Sequence, residues 1–169
     1  MITQLLAADA RWSEKLRVAE KPGPLRRGAI FLAHSGDSWF WGLALLFIGW
    51  RGDAFWKHWA FWVFVGIAVT ALIVQPLKWV IRRRRPPGEW GALYRSTDPH
   101  SFPSGHAARM AMLLVLGWAL GPLWFSLVLV LWAPLVALAR VAMGVHFLSD
   151  VLGGAVLGLI IGLALIQFI

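Results

Sequence analysis

Three short polar clusters, each at the edge of an apolar stretch, hold the residues able to do chemistry. The first is Ser101-Phe102-Pro103-Ser104-Gly105-His106, which opens into an apolar run from Ala107 to Leu120. A Ser-Gly turn entering a helix leaves backbone N–H groups unpaired, and the helix dipole adds positive charge there, so an anion is the natural guest. His106 falls in the first turn, where it could give that guest a proton or take one. The second cluster holds Lys78 and Arg85, seven apart and so two helical turns along one face. Lys78 lies inside an apolar stretch, where a charge is costly and marks function. The third runs Arg140, His146, Asp150. A carboxylate one turn from an imidazole can accept its N–H, orienting the ring and leaving the other nitrogen free to attack. A nucleophile, a proton donor and fixed cations around one anion suit phosphoryl transfer, which needs positioning and charge neutralisation.

Each residue also has a plainer reading. Lys78 and Arg85 taken alone are topological charges, His146 an interfacial histidine and Asp150 a helix cap. Arg82, Arg83 and Arg84 read as a headgroup anchor closing a membrane helix. His100 reads as a solvated loop histidine, and Arg109 as a residue lining the site or touching a headgroup. Glu89, Tyr94, Arg95 and Asp98 carry no assigned role.

The elements that must position these clusters are apolar helices. Of 169 residues, 59% are hydrophobic and they fall in long blocks, which points to a single-domain, all-α integral membrane protein. Spans are expected at about 55–80, 105–120, 123–143 (kinked at Pro134) and 148–169, with Trp56, Trp59 and Trp62 as an aromatic belt. Ser38 to Trp50 is a short or partly interfacial first span that could extend back through Gly36 to Phe31. Residues 1–34 form a surface segment whose 3–18 stretch suits an amphipathic helix with its basic face outward. The result is a bundle of about five transmembrane helices over residues 38–169. Loop 82–103, turn 144–148 and the start of the third span then share one membrane side, so the clusters can meet. Positions 146, 150, 154, 158 and 162 read His, Asp, Gly, Gly, Gly, a face of small residues suited to close helix contact.

Lys-x6-Arg-Pro, Pro-Ser-Gly-His and Arg-x5-His-x3-Asp occur in that order over Leu77 to Asp150. In this the chain resembles the type 2 phosphatidic acid phosphatase superfamily. One departure is Ala139, where the third motif usually has Ser before its Arg; the N-terminal part is also shorter than in six-span relatives. The resemblance implies a metal-independent lipid phosphatase working through a phosphohistidine, with no cofactor. It implies His146 as nucleophile, Asp150 as its orienting partner, and His106 as the acid that protonates the leaving oxygen and then activates water. Lys78, Arg85, Arg140, Ser104 and the Gly105 N–H would hold the phosphoryl oxygens.

The expected substrate is the phosphomonoester or diphosphate headgroup of phosphatidic acid, phosphatidylglycerophosphate or a polyprenyl phosphate. A lipid-to-lipid phosphotransferase and a non-catalytic lipid binder are the alternatives. The net charge of +8 is placed at span ends, which favours lipid headgroups over nucleic acid. Five spans put the N-terminus on the site's side, with Arg11, Lys15, Arg17, Lys21, Arg26, Arg27 and Arg82 to Arg84 against Arg51 and Lys57 opposite. The positive-inside rule makes that side cytoplasmic, in a multi-pass protein of the cell membrane. Oligomeric state is not readable from the sequence.

Overall fold

The computed structural model describes residues 2–169, and they are all helical apart from connecting segments. The helices are α1 (Ile2–Leu16), α2 (Pro24–Ser35), α3 (Ser38–Arg51), α4 (Ala54–Ile81), α5 (Glu89–Arg95), α6 (Gly105–Leu120), α7 (Leu123–Ala142) and α8 (Leu148–Leu165). Three segments are long and apolar enough to cross a bilayer: Ala54–Ile81, Leu123–Ala142 and Leu148–Phe168. The apolar α6 is shorter, and its 16 residues reach about 24 Å at 1.5 Å per residue. With 14 residues, α3 reaches about 21 Å. Both fall short of a hydrocarbon core of about 30 Å.

The bundle is built around α6. Met110, Met112, Leu113 and Leu116 of α6 are buried among Trp41 and Leu45 of α3, Trp59 and Val63 of α4, Leu129 and Val136 of α7, and Ile161 of α8. Outward faces keep large apolar side chains exposed, among them Phe64 and Leu72 on α4, Leu131 and Leu138 on α7, and Leu152 and Ile160 on α8. Such faces are stable against lipid, which is the physical mark of a membrane protein.

The glycine face expected on the last span is where α8 meets α6. A Cβ on Gly154 would run into the Ser104 backbone, and one on Gly158 into the Ala108 backbone. Only glycine lets the two backbones come this close.

The N-terminal third departs from expectation. The stretch from Phe31 through Trp50 is not one extended span: it breaks at Gly36-Asp37 into α2 and α3. Here α2 seats Ala29 and Ala33 against Ala139 of α7 and Met143 just beyond it, while α3 runs along α4. The break is a built feature, since a Cβ on Gly36 would strike Val136 and His106. The preceding helix, α1, docks by polar contacts, with Ser13 Oγ accepting from Leu148 N (2.8 Å) and Asp9 from Ser149 N (3.0 Å). Its Leu5, Leu6, Trp12 and Leu16 stay exposed. The end of the bundle where α4 finishes and α8 starts is covered by α1, and α2 runs from there along the second half of α7 as far as Trp132.

Candidate active site

The end of α4, the start of α6 and the turn between α7 and α8 enclose a cavity of about 300 Å³, lined by Lys78, Arg85, Gly105, His106, Arg140 and His146. Six of the eight residues singled out from the sequence therefore face one space. Long-range backbone pairing makes this possible. Ser101 N donates to Arg83 O (2.8 Å) and Ser104 N to Asp150 O (2.9 Å), which folds loop 82–103 back across the bundle end.

Lys78 and Arg85 reach the cavity differently from the expected shared helical face. The helix ends at Ile81 and Arg82 takes a left-handed conformation (φ 52°), so Arg85 sits on an irregular segment beyond it. What joins the two is Asp98, whose Oδ2 accepts from Lys78 Nζ and from Arg85 Nη2 (2.8 Å). Arg85 Nε also donates to the Asp98 carbonyl (2.7 Å). Buried cations need a counter-charge, so Asp98, given no role from the sequence, is the group that neutralises Lys78 and Arg85. Burial nevertheless pulls the Arg85 guanidinium below its ordinary value, with nearby Arg140 adding to the effect and Asp98 opposing it. Tyr94, on α5, closes the cavity by laying its ring over Arg85 and Arg140. Its hydroxyl accepts from Arg140 Nη1 (3.3 Å).

His146 is only 2% exposed. It stands in the turn before α8, two residues short of the helix, because Gly144 bends the chain through a left-handed conformation (φ 67°). Its Nδ1 is 3.6 Å from Asp150 Oδ2, directed at the carboxylate but too far to be a hydrogen bond. Asp150 is instead held by Arg83 Nη1 (2.6 Å) and by Phe147 N (2.8 Å), so it also caps α8. His146 Nε2 lies 3.2 Å from Arg85 Nη1. A guanidinium can only donate, so Nε2 accepts and the ring proton sits on Nδ1, facing Asp150. Burial first, and then Arg85, Arg140 and Lys78, push His146 well below the ordinary imidazole value, which keeps it neutral.

Arg83 corrects the headgroup-anchor reading of the arginine run. It turns inward to Asp9 of α1 (2.6 Å), Ser149 (2.6 Å) and Asp150. His100 is half-buried and edge-on to Trp79 (5.0 Å), which corrects its reading as a solvated histidine. Arg109 does line the cavity and donates to the Gly36 carbonyl. Ser104 is fully buried at the N-cap of α6, where its Oγ accepts from Ala107 N (3.5 Å). Its hydroxyl therefore does not line the cavity; Gly105 does. His106 Nε2 lies 2.7 Å from Asp37 Oδ1, a partner drawn from the α2–α3 break that no motif spacing indicated. Among the described residues no group of three or more His, Asp or Glu side chains is placed to hold a metal ion.

Over 149 residues the chain is 35% identical to a decaprenylphosphoryl-5-phosphoribose phosphatase of Mycobacterium tuberculosis, covering 86% of this chain and 80% of that protein. The fold matches a transmembrane PAP2-type phosphatidylglycerolphosphate phosphatase from Bacillus subtilis with a TM-score of 0.78, at 26% identity, over 98% of this chain and 86% of that one. It also matches LpxE of Aquifex aeolicus in fold, with a TM-score of 0.69 at 24% identity, over 91% and 93% of the two chains. Residues 59–169, which carry all three polar clusters, match the PAP2 superfamily, and the chain belongs to that family.

Proposed function

We propose that this membrane lipid phosphatase hydrolyses a phosphomonoester on a lipid-linked headgroup through a phosphohistidine on His146. The observation that carries the proposal is the convergence of both imidazoles and three fixed cations on one buried space at the bundle end. The substrate phosphate takes the place of Asp98 against Lys78 and Arg85, with Arg140 and the Gly105 N–H completing the cradle. The Nε2 lone pair of His146 attacks phosphorus in line with the ester oxygen, and Asp150 supports the positive charge that grows on the ring. His106 protonates the departing oxygen, then takes a proton from the water that attacks the phosphohistidine, which releases inorganic phosphate.

A lipid substrate fits because a second, apolar groove of about 590 Å³ lies between α3 and α4, lined by Leu45, Leu46, Phe61 and Phe64. Ser38 of α3 and Ala71 and Gln75 of α4 line the polar cavity, so the same pair of helices borders both spaces. A chain lying between them would keep its headgroup at the cations. Likeness to the mycobacterial phosphatase favours a polyprenyl-linked sugar phosphate over a glycerolipid. The test is phosphate release by wild type and His146→Ala from short-chain phosphatidic acid, phosphatidylglycerophosphate, polyprenyl mono- and diphosphates and polyprenylphosphoryl-5-phosphoribose. The sugar phosphate should give the highest kcat/KM, and His146→Ala should be inactive on all while still folded; equal activity in the variant would remove His146 from the reaction.

The site side carries the greater density of Arg and Lys and both N-terminal helices, so we place the site toward the cytoplasm. Labelling of cysteines introduced at positions 2 and 92 by an impermeant reagent in intact cells should then fail.

A further inference from the structure

The α2–α3 break supplies a third carboxylate to the site, besides Asp98 and Asp150. Asp37 follows Gly36 immediately, and its backbone is fixed by a bond from its N–H to His34 O (3.0 Å) and by one from Trp41 N to its own carbonyl (3.3 Å). Its side chain is equally constrained. Oδ2 accepts from Trp39 Nε1 (3.0 Å) and lies 2.7 Å from His34 Nδ1, while Oδ1 is left to His106 Nε2 at 2.7 Å. Arg109, one turn along α6 from His106, ties the same break down through the Gly36 carbonyl. Burial pushes the Asp37 carboxyl up, but hydrogen bonds from His106 and His34 outweigh it and hold the group well below the usual carboxylate range.

We infer that Asp37 is the positioning residue for His106, fixing its Nε2–H so that Nδ1 is the atom that exchanges protons with substrate and water. The inference rests on the phosphatase reading above and adds a residue to it. A carboxylate accepts, so the Nε2 proton is held in place. Nδ1 has no partner among the described residues, and the ring lines the cavity. His106 enters this step as the imidazolium, with a proton on each nitrogen beside the ionised Asp37; when the P–O ester bond breaks, the Nδ1 proton goes to the leaving oxygen, and Asp37 remains ionised. When water attacks the phosphohistidine, its proton returns to Nδ1, the P–N bond breaks and His146 is restored. Each imidazole thus has its own carboxylate, Asp150 for the nucleophile and Asp37 for the acid. Asp37 lies outside residues 59–169, so the family match does not reach it.

The test separates proton donation from simple support of the fold. Two esters carrying the same octyl chain are compared, octyl phosphate and 4-octyl-2-nitrophenyl phosphate; the nitrophenolate leaves without a proton, whereas the alkoxide needs one. The measured quantity is kcat/KM, which reports formation of the phosphoenzyme and not its hydrolysis. Asp37→Asn should lose about 100-fold on the alkyl ester, within the range of one general acid, and less than about tenfold on the nitrophenyl ester. Asp37→Glu, which keeps the charge but shifts it by a methylene, should fall between wild type and Asp37→Asn and guards against a variant that does not fold. Equal losses on the two esters, or no loss, overturn the inference while the phosphatase reading stands. A wild type that hydrolyses neither ester overturns that reading, and the inference with it.

Discussion

Arg85 donates to Nε2 of His146, the nitrogen proposed to attack phosphorus, across 3.2 Å. The contact holds the ring in the tautomer with its proton on Nδ1, and in the proposed reaction it is exchanged for one to phosphate. A lysine cannot reproduce it together with the Asp98 and Val145 contacts made by the same guanidinium. Arg85→Lys should therefore lower kcat/KM by about 100-fold, taking two lost charge-assisted bonds at the lower end of 1.5–3 kcal/mol each. Steady-state kinetics on the best lipid phosphate will show this.

The buried neutral His146 makes stability depend on pH. Its folded-state value lies well below 6.5, where an unfolded imidazole titrates. Between those values the unfolded chain binds the extra proton, so stability is complete above about pH 6.5 and falls as pH drops through that window. The slope approaches about 1.4 kcal/mol per pH unit for one group. Thermal unfolding in detergent at pH 7.5, 6.5 and 5.5 should show a Tm that falls with acidification in wild type. His146→Ala should give a flatter profile.

In the proposed reaction Asp98 competes with the substrate for Lys78 and Arg85. Asp98→Asn leaves two buried cations without their counter-charge, so the protein should lose about 3 kcal/mol, the lower end for a broken buried pair because Asp98 is partly exposed, and melt at lower temperature. An added phosphate or vanadate ion then replaces the missing charge. Its stabilising Tm shift should be larger in Asp98→Asn than in wild type, as read by differential scanning fluorimetry.

Contacts from Asp9 to Arg83 and Ser149 join α1 to the segment that carries Asp150. Asp9→Ala removes that anchor without touching the cavity. Hydrogen exchange over residues 2–16 should rise, and activity should fall by less than about tenfold, because Arg83 and Phe147 N still hold Asp150.

Close approach of α6 and α8 leaves no room at Gly158, where an added methyl would meet the Ala108 backbone. Gly158→Ala should destabilise by about 1–3 kcal/mol or more. Because the α6 N-terminus is set by this contact, activity and Tm should fall together.

Several features were legible in one chain because they depend on local spacing. Apolar runs gave the long helices, the glycine period gave the α6–α8 contact, and Lys78, Arg85, His106, Arg140, His146 and Asp150 stood out as charges and imidazoles at span ends. The partners that complete the site were not legible in that way. Asp98 is one of several polar residues in its loop, and only the fold shows that its carboxylate fills the cradle; the sole hint was that buried cations require an anion. Arg83 looks like its neighbours until the backbone turns at Arg82 and aims it inward. Asp37 lies 69 residues from His106 in sequence, and nothing in either neighbourhood foretells the pairing.

Sequence by itself determined the solvent this chain must live in and the set of groups proposed to move a phosphoryl unit. Burial preference and helical period act over a few residues and survive in the linear order. The spacing of His146 and Asp150 already paired them, but tertiary structure alone decided that Asp98 serves Lys78 and Arg85 and that Asp37 serves His106. Such pairings are fixed by where helices end and loops cross, across distances that spacing along the chain does not encode.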